Sequence, residues 1–126
     1  MLYLIKENII NNNINLISIV PVCSYLNVDI QKKQIFIDNR RKTGIYRWTN
    51  IISGKSYVGS SIDLSIRFKD YLNINYLKRQ IENNNSKIYR AILKYSYSGF
   101  NLEVIEYCDP AIIIKREQYY LDNLKP

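Results

Sequence analysis

The sequence predicts an α/β domain: a small three-stranded antiparallel sheet flanked by helices, preceded by an N-terminal extension. The first observation is a hairpin pattern over residues 43–61, rich in β-branched and aromatic side chains. The second is a strand pattern over residues 100–107, and the third is the set of helical patterns beside it. With 126 residues, 47% of them hydrophobic, the chain can build one modest core. We therefore interpret residues 1–42 as an arm or linker and residues 43–126 as the domain.

The formal net charge of +7 indicates a polyanionic partner, with nucleic acid first and an anionic membrane surface second. A basic surface that is simply solvated is the alternative. The chain has no histidine, which excludes histidine acid-base chemistry and histidine-ligated zinc. Cys23 and Cys108 are far apart and lack a CxxC spacing, so both are interpreted as reduced core residues.

Residues 8–28 carry no charge, but the five asparagines within residues 8–15 and Pro21 make a membrane span unfavourable, because hydrocarbon cannot satisfy the asparagine amides and the proline interrupts the rest. No secretory signal pattern is present either. Residues 20–42 alternate short apolar groups with charges and predict an arm with one short strand, around residues 35–37. The triplet Arg40, Arg41 and Lys42 is interpreted as a phosphate contact or as solvated charge.

The hairpin places a tyrosine on each arm and a turn at residues 53–55. Gly44 and Gly59 stand at its outer ends, where a missing side chain allows backbone or a ligand to come close. Asp63 and the two preceding serines are N-cap candidates for a helix over about residues 62–72. Arg67 lies on the flank of that helix, one turn from Tyr71.

The next segment, residues 73–85, is polar and rich in asparagine, and its end predicts a loop and cap. A helix over about residues 86–97 follows, whose inward side chains are predicted to be Ile88, Ile92, Leu93 and Tyr95. In the strand at residues 100–107, Leu102 and Val104 are predicted on one face, with Glu103 and Ile105 on the other.

Asp109 and Pro110 predict the start of the last helix, over about residues 110–124. Its apolar face is predicted to hold Ile113, Ile114, Glu117, Tyr120 and Leu121. An acid among apolar positions needs a cation, a donor or a boundary position. Pairing with Arg116, Lys115 or an arginine from another element is the structural alternative to a functional role for Glu117.

Gly44-Ile45-Tyr46, ten further residues and Tyr57-Val58-Gly59 resemble the paired motif of the GIY-YIG nuclease family. Arg67 on the following helix and Glu117 on a late helix match the family's order. The segments around both motifs are similar to homing endonucleases encoded in fungal mitochondrial introns, and residues 21–27 loosely resemble their lead-in.

The resemblance implies metal-dependent hydrolysis of DNA, with the active site on the Tyr46/Tyr57 face of the sheet. Tyr46 would be the general base, Tyr57 would orient water or phosphate, and Arg67 would hold the scissile phosphate. Glu117 would bind one divalent ion, Mg²⁺ with Mn²⁺ able to substitute. A tyrosine with a pKa of about 10 is a poor base at neutral pH, so a neighbouring metal and arginine are expected to favour phenolate. Lys55 is interpreted as a phosphate contact or as a turn residue.

The same resemblance implies double-stranded DNA as partner, no membrane, a monomer, and a mitochondrial or otherwise intracellular location. Relatives usually carry an asparagine beyond the glutamate, whereas this sequence stops at Pro126, and we do not transfer that role to Asn123. We therefore expect a homing endonuclease or a truncated remnant of one. The alternatives are a non-catalytic nucleic-acid-binding protein on the same fold and an interaction module that binds no nucleic acid.

Overall fold

The computed structural model describes residues 19–126, which form one antiparallel sheet of four strands in the order β1-β4-β2-β3 with helices on both faces. The elements are β1 (Cys23–Tyr25), α1 (Lys32–Asp38), β2 (Gly44–Asn50), β3 (Ser56–Ser61), α2 (Leu64–Tyr71), α3 (Ile74–Asn83), α4 (Lys87–Tyr95), β4 (Phe100–Tyr107) and α5 (Ile113–Leu124). Short 3₁₀ turns, Tyr97–Gly99 and Pro110–Ile112, precede β4 and α5. No helix in this part of the chain is long and apolar enough to cross a membrane. Residues 8–18 of the charge-free segment lie outside the described residues.

The described part of the arm packs onto the domain and adds a fourth strand to the three that were predicted. β1 pairs with β4, with Cys23 opposite Val104. The strand predicted at residues 35–37 is wrong, because the chain there forms α1. Ile35 is fully buried and Ile37 is 54% exposed. Residues two apart lie on the same face of a strand but on different sides of a helix, so these exposures agree with the helix. A run this short does not distinguish the two structures by itself.

The hairpin forms as predicted, with β2 and β3 joined by a turn at residues 51–55. The turn is closed by backbone hydrogen bonds between Asn50 and Gly54 and between Asn50 and Lys55, both at 2.9 Å. Gly54 has a φ of +75°, which glycine adopts without steric cost. The Asn50 side chain accepts from the two backbone N–H groups that follow Ile51. Local turn chemistry thus sets the register of the two tyrosine-bearing strands.

The larger core lies between one face of the sheet and the helices α1 to α4. Helix α3 was not predicted, because its sequence is mostly polar. It nevertheless has an apolar side, on which Leu77 is fully buried. Asn73 starts α3 by accepting from the Tyr76 N–H at 3.1 Å. In α4 the inward Tyr95 that we predicted is wrong: Tyr95 is 47% exposed, and Tyr89 is buried instead.

A smaller core on the opposite face joins the sheet to α5. It contains Ile45, Ile105, Ile113 and Tyr120, which confirms the two faces predicted for β4. Ile114, predicted on the apolar face of α5, is 80% exposed. Cys23 and Cys108 are free thiols, half-buried at the margins of the two cores.

Candidate active site

Tyr46 lies at the centre of the candidate site, on β2 and almost fully buried. Its hydroxyl is 2.9 Å from the Tyr71 hydroxyl, which α2 supplies. The Phe68 and Tyr71 rings meet the Tyr46 ring edge-on, with centroids 5.4 and 5.6 Å away. These contacts hold the phenol in one orientation.

The two motif glycines make room for different atoms. Gly59 is the cross-strand partner of Tyr46, and a Cβ added there would lie 2.5 Å from the Tyr46 hydroxyl. A Cβ added at Gly44 would lie 2.4 Å from the backbone oxygen of Glu106 on β4. Gly59 therefore makes space for the Tyr46 side chain, whereas Gly44 allows two strands to approach each other.

Arg67 extends from α2 over the same tyrosines. Its guanidinium carbon is 4.5 Å from the Tyr71 ring centroid and 5.5 Å from that of Tyr89 on α4. Its ion pair with Asp70 is long, at 3.7 Å. The side chain is half-buried, so a cation is held beside Tyr46 and is not fully neutralised.

Burial controls the protonation of these groups. It raises the pKa of Tyr46, while the charge of Arg67 and the Tyr71 hydrogen bond act in the opposite direction. Burial also raises the pKa of Tyr71 well above its ordinary value. For Arg67, burial would lower the pKa, but the Coulombic effects of Tyr46 and Tyr71 outweigh it, and the pKa is raised. At neutral pH, Tyr46 is therefore a neutral phenol next to a charged guanidinium, and Arg67 alone does not produce phenolate.

Tyr57 lies on the same sheet face as Tyr46. It pairs with Trp48, two positions along β2, so the two tyrosines are diagonal neighbours on that face. Its side chain is only partly buried. The Lys55 ammonium is 5.9 Å from its ring centroid. The structure thus places Arg67 beside Tyr46, and Tyr57 on the same face of the sheet.

Glu117 approaches β3 from the other face of the sheet, so the prediction of one active site on the Tyr46/Tyr57 face is wrong for Glu117. Its carboxylate accepts a hydrogen bond from the Ser60 hydroxyl, and Ser60 is paired with Ile45, whose side chain belongs to the smaller core. Arg116, the structural partner considered for Glu117, instead binds Glu106 with two hydrogen bonds of 2.7 Å. Within residues 19–126, no lysine or arginine nitrogen lies within 4.0 Å of Glu117. The half-buried carboxylate is therefore available to another cation.

The donor set around Glu117 fits a divalent ion of the Mg²⁺ type. Residues 19–126 contain no cluster of three or more acidic or cysteine side chains that could hold an ion alone. Mg²⁺ usually keeps several waters and is bound by one or two carboxylates together with substrate phosphates. A single carboxylate without a basic partner is compatible with that mode.

The predicted phosphate contacts lie at both ends of the hairpin. Arg40 and Arg41 are exposed, and the Lys42 ammonium is 4.6 Å from the Tyr107 ring centroid. This triplet precedes Gly44 at the outer end of β2, the end nearer Tyr46. Lys55 is exposed in the turn, at the far end of a strand about 20 Å long.

Tyr71 and Tyr89 complete the surroundings of Arg67 and were not predicted as site residues. The i, i+4 spacing of Arg67 and Tyr71 was a usable signal, because it places both side chains on one helix face. Tyr89 comes from a different helix, and no local spacing in the sequence relates it to Arg67. Its ring packs edge-on against Tyr71, with centroids 5.5 Å apart.

Comparison with known proteins gives a consistent result. A family model described as the GIY-YIG catalytic domain matches residues 42–126. The catalytic domain of the homing endonuclease I-TevI superposes with a TM-score of 0.53 at 28% identity, covering 67% of this chain and 89% of that one. A Glu-to-Ala mutant of the catalytic domain of intron endonuclease I-TevI superposes with a TM-score of 0.54 at 27% identity, covering 67% of this chain and 84% of that one.

Proposed function

Because the chain belongs to the GIY-YIG catalytic domain family, we propose that it is a DNA endonuclease that hydrolyses phosphodiester bonds with the help of one divalent metal ion. The observation that carries the proposal is the arrangement of Tyr46, held in one orientation over Gly59, beside the guanidinium of Arg67. Double-stranded DNA is the proposed substrate, and the chain is proposed to act as a monomer.

The residues divide the chemistry among them. Arg67 would neutralise charge on the scissile phosphate; its long ion pair with Asp70, at 3.7 Å, supports this role because it leaves the guanidinium charge incompletely paired. Tyr46 is the proposed general base and Tyr57 the group that orients water or phosphate. Glu117 would hold Mg²⁺ or Mn²⁺ on the other face of β3, which is an edge strand, and the bound ion would supply positive charge to a phosphate that reaches across that edge from Arg67.

The raised pKa of Tyr46 adds a condition to this assignment. A phenol whose pKa is raised by burial accepts a proton only after losing its own, and the fraction ionised at neutral pH is small. The base therefore needs positive charge beyond that of Arg67. The proposed role predicts a cleavage rate that increases with pH above neutrality.

From the resemblance of the motif segments, we also propose that the protein is an intron-encoded homing enzyme acting in mitochondria. A catalytically inactive nucleic-acid-binding protein is the second candidate, because the formal net charge of +7 favours a polyanionic partner whether or not the protein cleaves it. DNA binding without cleavage would distinguish it from the first.

The test is nicking of supercoiled plasmid with and without Mg²⁺, using Glu117→Gln and the matched control Glu82→Gln. Glu82 is an exposed acid on α3, so its variant should cleave at the parent rate. Glu117→Gln should lose cleavage and lose binding of Mn²⁺ in titration calorimetry, but keep its affinity for DNA. Equal cleavage by both variants would remove Glu117 from the proposed site.

Tyr46→Phe tests the base separately. It keeps the ring that packs on Phe68 but leaves the buried Tyr71 hydroxyl without its 2.9 Å partner, so a loss of stability of about 1–3 kcal/mol is expected, and rates are compared below the melting transition. We expect a rate loss of about 10²-fold or more. Parent-like rates across the pH range would exclude Tyr46 as the base.

A further inference from the structure

The exposed face of α4 carries three basic side chains in a row. Lys87, Arg90 and Lys94 follow at i, i+3 and i+7, which places them on one side of the helix, and all three are exposed. The opposite side carries Tyr89 and Ile92, which are buried in the larger core. We call these three residues the α4 basic face.

No acidic side chain compensates this face. The sequence contains no aspartate or glutamate between Glu82 and Glu103. Among residues 19–126, none of the three basic side chains forms an ion pair. On α5, by contrast, Arg116 is paired with Glu106 at 2.7 Å. The α4 basic face is therefore a local concentration of positive charge that has no acidic partner among the described residues.

The same helix is connected directly to the candidate site. Tyr89, next to Arg90 in the chain, packs against Tyr71 and lies 5.5 Å from the guanidinium carbon of Arg67. Tyr89 is buried, so the position of α4 relative to Arg67 is fixed by core packing. The distance between a phosphate held by Arg67 and the α4 basic face would thus be constant.

We propose that the α4 basic face binds backbone phosphates of the same DNA, about one helix diameter (about 10 Å) or more from the scissile phosphate. The inference rests on the proposed endonuclease function and specifies the surface that binds the substrate. Lys87 and Lys94 are seven residues apart, or about 10 Å along the helix axis. Phosphates of one strand advance by about 3.4 Å per nucleotide along the duplex axis, so with α4 parallel to that axis the face spans on the order of three of them.

The experiment compares a variant that lacks two positive charges on this face with a control variant that lacks two positive charges on another helix. The test variant is Lys87→Gln with Lys94→Gln, and the control is Lys32→Gln with Lys33→Gln on α1, where both lysines are also exposed. Arg90 is left in place, because its guanidinium also bonds the side chain of Asn85 and the backbone of Ile81. Glutamine has nearly the helix propensity of lysine, so both variants should melt like the parent.

Binding to a labelled duplex of about 30 base pairs is measured in EDTA over a range of salt concentrations, because each phosphate contact contributes about 0.9 to the slope of log K against log salt. The test variant should reduce the magnitude of that slope by about 2 and the control by less than about 0.5. In Mg²⁺, the loss in the test variant should appear in KM more than in kcat, as expected for contacts that do not change in the transition state.

The outcomes separate this inference from the proposed function. Equal slopes for the two double variants, with a parent that binds and cleaves DNA, would overturn only the proposal that the α4 basic face binds DNA. A parent that shows no salt-dependent DNA binding would overturn both. A parent that binds DNA through α4 but does not cleave it would support the inference and contradict the endonuclease.

Discussion

Alanine substitution of the two motif glycines should separate stability from activity. In Gly59→Ala, the new Cβ would meet the Tyr46 hydroxyl at 2.5 Å, and ordinary contact begins near 3.4 Å, so the hydroxyl must move by about 0.9 Å. The atom that moves is the end of a side chain. In Gly44→Ala, the new Cβ would lie 2.4 Å from the backbone oxygen of Glu106, and the strands themselves must separate.

The expected magnitudes follow from what each movement breaks. Displacing Tyr46 strains its 2.9 Å hydrogen bond with Tyr71, and overpacking a tight site costs about 1–3 kcal/mol. Misplacing a catalytic group by about 1 Å costs about 10²-fold in rate. Gly44→Ala should instead destabilise the fold by about 3 kcal/mol or more, since the contact between β2 and β4 cannot relax through a side chain.

The assay pairs thermal unfolding with single-turnover plasmid cleavage below the transition. Gly59→Ala should melt lower by roughly 4–24 °C, because 1 kcal/mol corresponds to about 4–8 °C in a domain of this size, and it should cleave about 10²-fold more slowly while still folded. Gly44→Ala should lose more stability. Cleavage by folded Gly59→Ala at the parent rate would refute the reasoning, because it would show that the position of the Tyr46 hydroxyl does not limit the chemistry.

Three further predictions concern the arginine, the arm and alkaline pH. Arg67→Lys should lower kcat with little change in DNA affinity, because an ammonium cannot reproduce the guanidinium stacking at 4.5 Å over a ring; an unchanged kcat would contradict this. Ile35→Ala should cost about 2–5 kcal/mol in urea unfolding and the exposed Ile37→Ala close to nothing, and equal small effects would show that α1 does not stabilise the domain. Burial raises the pKa of Tyr97 and Tyr120 to about 12, above the ordinary value of about 10, so their stabilisation is complete below pH 10 and is lost as pH rises towards 12. Urea unfolding across that window should show the decline, and a flat profile would contradict it.

The sequence by itself determined the elements whose signals are local. The hairpin turn depends on Gly54 and Asn50, whose contacts lie within five residues. Helix starts at Asp63 and Ser86 also follow from short-range caps, each of which accepts a hydrogen bond from an N–H three residues later. The order of Tyr46, Tyr57, Arg67 and Glu117 could likewise be read without a structure, because a motif is a pattern along the chain.

Only the tertiary structure decided how the distant parts meet. Residues 35–37 have an ambiguous pattern, and the burial of Ile35 selected the helix. Arg116 could have paired with Glu117 on the same helix, but it binds Glu106 on β4. Glu117 instead accepts a hydrogen bond from Ser60. Tyr89 reaches Arg67 from another helix, and burial of the shared tyrosine cluster raises the pKa of Tyr46. Burial and pairing of this kind depend on which surfaces exclude water together, and residues far apart in the chain determine those surfaces.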